Sequence, residues 1–210
     1  YAAFNMYKKN YSQAADYFKK NIQYYQQGKK VNNFFVMHAY RGLFSNSFIQ
    51  SKFGETYELS NSYLDFMKKN SPEKMNEAYM TLGSFYSSTK NMDKAIEYFK
   101  KSSATTDKKN LSFINTINIL LGISYEENKN LDSAKYYLDT AYDFFKDKNN
   151  AQSLAMIYYG YALINKQKEN YEQAEEEIQK AISLVPSQDL MSSKFMYQST
   201  LNDIQLAKLL

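Results

Sequence analysis

The 210-residue chain has no cysteine. Disulfides, thiol nucleophiles and thiolate-ligated zinc are excluded together. Compartment stays open, because a cysteine-free chain is as safe in oxidising as in reducing surroundings. Only two prolines and six glycines occur. Both residues disfavour helix interiors, so their scarcity predicts a nearly all-helical chain. The one histidine, His38, lacks the companion ligands of a metal site and the partners of a triad. It is expected as a packed or partly exposed helix residue. No apolar run approaches the ~18 residues of a membrane span, and no signal-peptide pattern stands at the N-terminus. The signatures GxGxxG, GxxxxGK(S/T), HExxH and GxSxG are absent, which removes the common phosphate, zincin and esterase sites. No catalytic residue, metal ligand or cofactor is expected.

What is present argues for a folded chain: 44% hydrophobic and 17% aromatic residues, too apolar for disorder. The chain opens on Tyr rather than Met, as expected of a trimmed or processed polypeptide. Its abundance of Asn, Lys, Tyr and Ile suits a bacterial source, with the periplasm favoured slightly over the cytoplasm. The net charge of +4 is uneven. Residues 1–110 hold 17 basic and 9 acidic residues, and residues 111–210 hold 9 and 13. Solvated helix faces account for such a gradient.

The strongest pattern is a repeat. Ala14, Gly54, Ala95, Ala134 and Ala174 recur at steps of 40, 41, 39 and 40. Ala2, Gly42, Gly83, Gly122 and Ala162, twelve residues earlier in each case, recur at the same steps. A fixed period of this length is the signature of stacked supersecondary units. In the third unit, Leu82, Gly83 and Tyr86 share one helical face, Lys90-Asn91 form a turn, and Ala95, Phe99 and Ser102 mark a second amphipathic helix. The fourth unit repeats this with Leu121, Gly122, Tyr125, Ala134, Leu138 and Ala141. The fifth has Tyr161, Ala162, Tyr171, Ala174, Ile178, Ala181 and a closing Pro186. The first unit shows only Tyr11, Ala14, Phe18 and Asn21. In the second, Gly42 and Gly54 hold the spacing while Ser45 and Glu58 replace large apolar residues. Small residues let paired helices approach closely. Ser71-Pro72-Glu73 reads as a capped helix start. A last helix is expected from about Gln188 to Leu210, with Met191, Phe195, Leu201, Ile204 and Leu209 on its apolar face and continuation beyond it.

These positions resemble the tetratricopeptide repeat, with units near forty residues where thirty-four is usual and Asn165 where a large residue belongs. The resemblance implies an all-α, right-handed α-solenoid. Residues 1–186 would form five helical hairpins, the first incomplete and the second degenerate, and residues 187–210 a capping or continuing helix. It also implies a concave groove lined by the first helices of the hairpins. By register that groove is Val36, Ala39, Leu43, Met80, Ser84, Ile119, Ile123, Glu126, Met156, Tyr159 and Leu163. These residues are mostly apolar, so the lysine, arginine and asparagine clamp used by some family members for a peptide carboxylate is missing. The implied role is a non-catalytic scaffold binding a protein or an apolar or amphipathic peptide. The context expected is the sensor or regulatory region of a larger bacterial signalling or transcription-regulating protein.

Two other roles compete. One is self-association, for example as a homodimer, or occlusion of the groove by the chain's own last helix. The other is single-stranded nucleic-acid binding through the many aromatic residues. Most of those fall on packing positions, and the C-terminal half is net acidic, which argues against nucleic acid. The pairs Tyr24-Tyr25, Tyr136-Tyr137 and Tyr158-Tyr159 are each expected to place one ring inward and one outward. Glu175, Glu176 and Glu177 project in different directions from a helix and are expected as a solvated face rather than an ion site.

Overall fold

The computed structural model describes residues 10–50, 53–185 and 193–209. Ala2, Pro186, Ser187 and Met191 lie outside the described residues. Among those described, ten α-helices and one short 3-10 turn form, with no strand. The chain divides into two compact units, Tyr1–Lys90 and Asn91–Leu210. Unit 1 holds α1 (Tyr11–Gln26), α2 (Asn33–Ile49), α3 (Phe53–Asn70), the 3-10 turn (Pro72–Lys74) and α4 (Met75–Ser88). Unit 2 holds α5 (Met92–Thr105), α6 (Leu111–Glu127), α7 (Leu131–Phe145), α8 (Ala151–Gln167), α9 (Tyr171–Leu184) and α10 (Ser193–Leu209). Within each unit consecutive helices pack together, and α6 also packs on α8, as the first helices of stacked hairpins do.

Asparagine writes the helix starts. The side-chain oxygens of Asn91, Asn110, Asn130 and Asn150 accept the backbone N–H of Lys94, Phe113, Ser133 and Ser153 at 3.3, 3.2, 3.1 and 3.0 Å. Each bond satisfies one donor left free in a helix's first turn. With Asn170, which precedes α9 without a side-chain bond, these asparagines stand 19, 20, 20 and 20 residues apart. The expected cap at Ser71 does not form. Its side chain makes no cap bond, and its carbonyl instead accepts the Lys74 N–H at 2.9 Å to close the 3-10 turn.

Three of the turns that join successive helices are also written alike. Lys90, Lys129 and Glu169 each take φ of 61°, a left-handed conformation that costs an L-residue ~1–2 kcal/mol. In the second of these turns, the Asn130 N–H donates to the Tyr125 carbonyl at 2.9 Å and the Lys129 N–H to the Glu126 carbonyl at 2.8 Å. In the third, Asn170 and Glu169 donate to Asn165 and Lys166 at 2.9 and 3.1 Å. This paired arrangement satisfies the last helical carbonyls. The odd Asn165 thus contributes a main-chain acceptor to its turn.

The small residues make close crossings. A Cβ on Gly122 would lie 2.6 Å from Leu138 Cγ, and one on Gly160 would lie 2.7 Å from Leu138 Cδ1. Leu138 of α7 therefore fills a notch made by glycines on α6 and α8. Gly160 belongs to neither repeating series. A Cβ on Gly42 would meet the Phe18 ring at 2.2 Å, so Gly42 is the seat of α1 on α2. Gly54 differs: it is exposed, and nothing lies within 4 Å of a Cβ placed there. It keeps the spacing without serving a crossing.

The core of unit 2 is mostly aliphatic and rich in small residues. One cluster joins Ile119, Ala134, Leu138, Ala141, Phe145, Ile157 and Ile164, and another joins Ala155, Ala162, Ala174, Ile178, Ala181 and residues of α10. Unit 1 packs rings instead. Tyr63 lies 5.7 Å from Tyr40 and 5.5 Å from Phe44, and Phe66 lies 5.0 Å from Tyr25. The buried face of α10 is Tyr197, Thr200, Leu201 and Ile204. Phe195 and Leu209, expected on that face, are 75% and 84% exposed, because the buried stripe of α10 runs through Tyr197 and Leu201. No helix among the described residues is long and apolar enough to cross a membrane.

Candidate functional site

In unit 1 the first helices of neighbouring hairpins, α2 and α4, leave a cavity of about 280 Å³ between them. Its walls are Arg41, Phe44 and Ser45 from α2, and Met80, Thr81, Ser84, Phe85 and Ser88 from α4. Phe44 and Phe85 form the floor, with ring centres 6.0 Å apart. Two of the hydroxyls are committed to their own helix: Thr81 donates to the Glu77 carbonyl at 2.9 Å and Ser88 to the Phe85 carbonyl at 2.7 Å. Ser45, Ser84 and Arg41 are exposed at the rim. An apolar floor beneath hydroxyls and one guanidinium suits an amphipathic side chain or short peptide segment.

The eleven groove residues expected from register fare unequally. Met80 and Ser84 line the cavity. Val36, Ala39 and Leu43 do not: all three are buried. α2 packs on both α1 and α3, and its open stripe runs through Phe34, His38, Arg41 and Ser45, turned from the expected one. Ile119 is buried in the small-residue core of unit 2. Glu126 is buried as well, held by the Gln167 side-chain amide, which donates to its carboxylate and, at 3.0 Å, to its carbonyl. Ile123 and Leu163 are half-buried.

Met156 and Tyr159 meet the chain's own last helix. Tyr159 lies 5.1 Å from the Tyr197 ring of α10, and Met156 and Tyr197 border a space of only about 50 Å³. Lys166 of α8 and Asp203 of α10 approach to 3.4 Å. The last helix thus occupies that part of the surface. Burial pushes the Tyr197 phenol up to about 12, with the Tyr159 phenol beside it adding to the effect. The Tyr161 phenol, raised by burial and then by its 2.8 Å hydrogen bond to Asp139, is pushed further still.

The other sequence-singled residues have structural settings. His38 is exposed against the Phe34 ring at 4.3 Å. Glu175 accepts from Gln205 at 2.8 Å, Glu177 approaches Lys180 at 3.4 Å, and Glu176 is exposed, so the three acids diverge. No cluster of three or more potential metal ligands occurs among the described residues. Tyr24 and Tyr136 face outward while Tyr25 and Tyr137 pack. Tyr158 and Tyr159 are both half-buried, Tyr158 against Tyr142 at 6.1 Å, so neither is the outward ring expected. Sequence reasoning passed over Arg41. The available signal was its uniqueness, since it is the only arginine in the chain.

Hairpins of paired helices at a forty-residue period, closed by small residues at their crossings, define an α-helical repeat protein. The tetratricopeptide repeat model matches residues 77–103 and 155–188. These two segments fall in the third and fifth units of the series. Such repeats generally mediate protein–protein interaction and are generally non-catalytic. The solved structure of BtubC (BKLC) from P. vanneervenii superposes with a TM-score of 0.65 at 15% identity, covering 95% of this chain and 82% of that one. That likeness concerns the fold. No curated protein matches the chain.

Proposed function

We propose that this chain is a non-catalytic scaffold that captures an apolar or amphipathic segment of a protein partner in the α2–α4 cavity. The observation that carries this reading is the pairing of Met80 and Ser84 with Phe44 and Ser45 around space the fold leaves unfilled. Methionine suits such a wall because it repacks around different side chains. In the same reading the scaffold is the regulatory region of a larger bacterial signalling or transcription-regulating protein, and occupancy of the cavity is the signal. The asparagine-, lysine- and tyrosine-rich composition supports the bacterial setting.

The test is affinity capture with wild type and Met80→Glu. The substitution places a carboxylate over the Phe44–Phe85 floor, and partner recovery should fall by more than tenfold while helicity and melting stay unchanged. Equal recovery by the two proteins would remove the cavity from the function. Ile119→Glu is not an equivalent test, because Ile119 is buried and its loss would unfold unit 2.

Self-association has one observation in its favour. Phe195, Leu206 and Leu209 are exposed on α10, an apolar stripe of the kind that marks contact surfaces. In this reading Leu206→Glu converts a dimer to a monomer in sedimentation. A wild-type chain that sediments as a monomer at tens of micromolar would end it.

A further inference from the structure

We infer that the α2–α4 cavity selects for a side-chain carboxylate, and that Arg41 is the residue that reads it. The inference rests on the peptide-capture reading and adds the chemistry of the captured segment: a glutamate or aspartate next to an apolar side chain.

The argument begins with composition. Of 26 basic residues, 25 are lysine and one is arginine. Lysine serves every general charge requirement of this surface. The one guanidinium stands at the wall of the α2–α4 cavity. Arginine and lysine are not interchangeable there: a guanidinium offers a planar fork of donors that matches a carboxylate in two parallel hydrogen bonds, whereas an ammonium is a strongly hydrated point charge. Arg41 is exposed and forms no ion pair with any described residue. Among the described residues no carboxylate pairs with it, and within the fold its charge acts on the Tyr63 phenol.

The surroundings favour a monoanion attached to something apolar. Phe44, Phe85 and Met80 give the cavity a low-dielectric wall, where an ion pair is stronger than in open water. The volume of about 280 Å³ is below the ~300–1,000 Å³ typical of small-ligand pockets, so it suits one or two side chains rather than a free metabolite. No lysine lines the cavity, which leaves a phosphate dianion half-neutralised and a carboxylate fully matched. Residues 1–90 carry 12 basic and 6 acidic side chains, a net +6, so the long-range field of the unit draws in an acidic segment.

Fluorescence anisotropy with the full chain tests this. The probes are fluorescein-labelled, end-capped dodecapeptide pools randomised over Glu, Leu, Phe and Ser, and a matched pool with Gln in place of Glu. The expected result is at least tenfold tighter binding of the Glu pool by wild type. That preference should be abolished in Arg41→Gln and partly kept in Arg41→Lys, with circular dichroism unchanged. Equal binding of the two pools by wild type, or a Glu preference that survives Arg41→Gln, overturns the inference. So does Arg41-dependent binding that is tighter for a twelve-nucleotide uridine strand, or a preference that appears only when the peptide ends in a free carboxylate. Met80→Glu separates the two levels. If it abolishes binding of both pools while they bind wild type equally, the carboxylate is wrong and the groove stands. If it changes neither, the groove fails as well.

Discussion

Unit 2 places buried alanines and glycines at its helix crossings and an asparagine before five of its six helices, whereas unit 1 fills the space between α2 and α3 with aromatic rings. The outcomes differ in the space left over. Between α8, α9 and α10 about 50 Å³ remains, and between α2 and α4 about 280 Å³. Small residues let backbones close on one another until a single leucine fills the gap. Rings are stiff and large, and where they meet at 5–6 Å centre to centre they set helices apart. Departure from the repeat is thus where a surface for binding arises, and fidelity to it is where the frame is made rigid.

The sharpest way to break this contrast is at Leu138. Leu138→Ala empties the notch between Gly122 and Gly160 and should cost ~2–5 kcal/mol, read as a lower denaturant midpoint and as faster amide exchange confined to α6, α7 and α8. Exchange that rises equally in α2 and α3 would show the units are not packed by separate means.

Alkaline titration comes next. A phenol whose folded value is raised favours the folded state below the unfolded value near 10, and that contribution is lost as pH climbs through the folded value. With Tyr197 pushed up to about 12, its titration alone should cost unit 2 on the order of 2 kcal/mol between roughly pH 10 and 12. Tyr197→Phe should flatten that slope in melts taken at successive pH values. An unchanged slope would assign the loss to other groups.

The caps give a smaller and paired test. Asn130→Ala should cost ~1 kcal/mol by removing a cap bond, while Ser71→Ala should leave stability within ~0.5 kcal/mol because its side chain caps nothing. Equal costs in thermal melts would contradict the geometry of the 3-10 turn. Smallest is a gain. Lys129→Gly relieves the left-handed turn residue and should stabilise by ~0.5–1 kcal/mol, and Glu169→Gly should do the same. A loss at either position would mean that the side chain earns its strained backbone by a contact.

The hairpins were legible because a close crossing admits only small residues, and that demand leaves a mark every forty positions. Gly160 was not, since it answers to Leu138 from a third helix and has no counterpart in the series. Gly54 was legible and misleading: spacing survives after its packing reason has gone. Of the groove residues read from register, Met80 and Ser84 of α4 line the cavity, whereas on α2 burial by helices on both sides turns the open stripe away from Val36 and Leu43. The covering of Tyr159 by α10 depends on a contact between rings distant in sequence. Arg41 was countable from composition, but its meaning required the cavity beside it.

The asparagines at twenty-residue steps bear on how such a chain can change length. Every half-period brings the same instruction to start a helix, yet only every full period brings back the same facing surface. Removal of forty residues would rejoin a cap to a helix of the right kind. Removal of twenty would rejoin it just as smoothly in local grammar and present a second helix where a first helix is needed. Duplication or loss along this stretch is therefore quantised in pairs of helices, even though five consecutive helices follow the same letter.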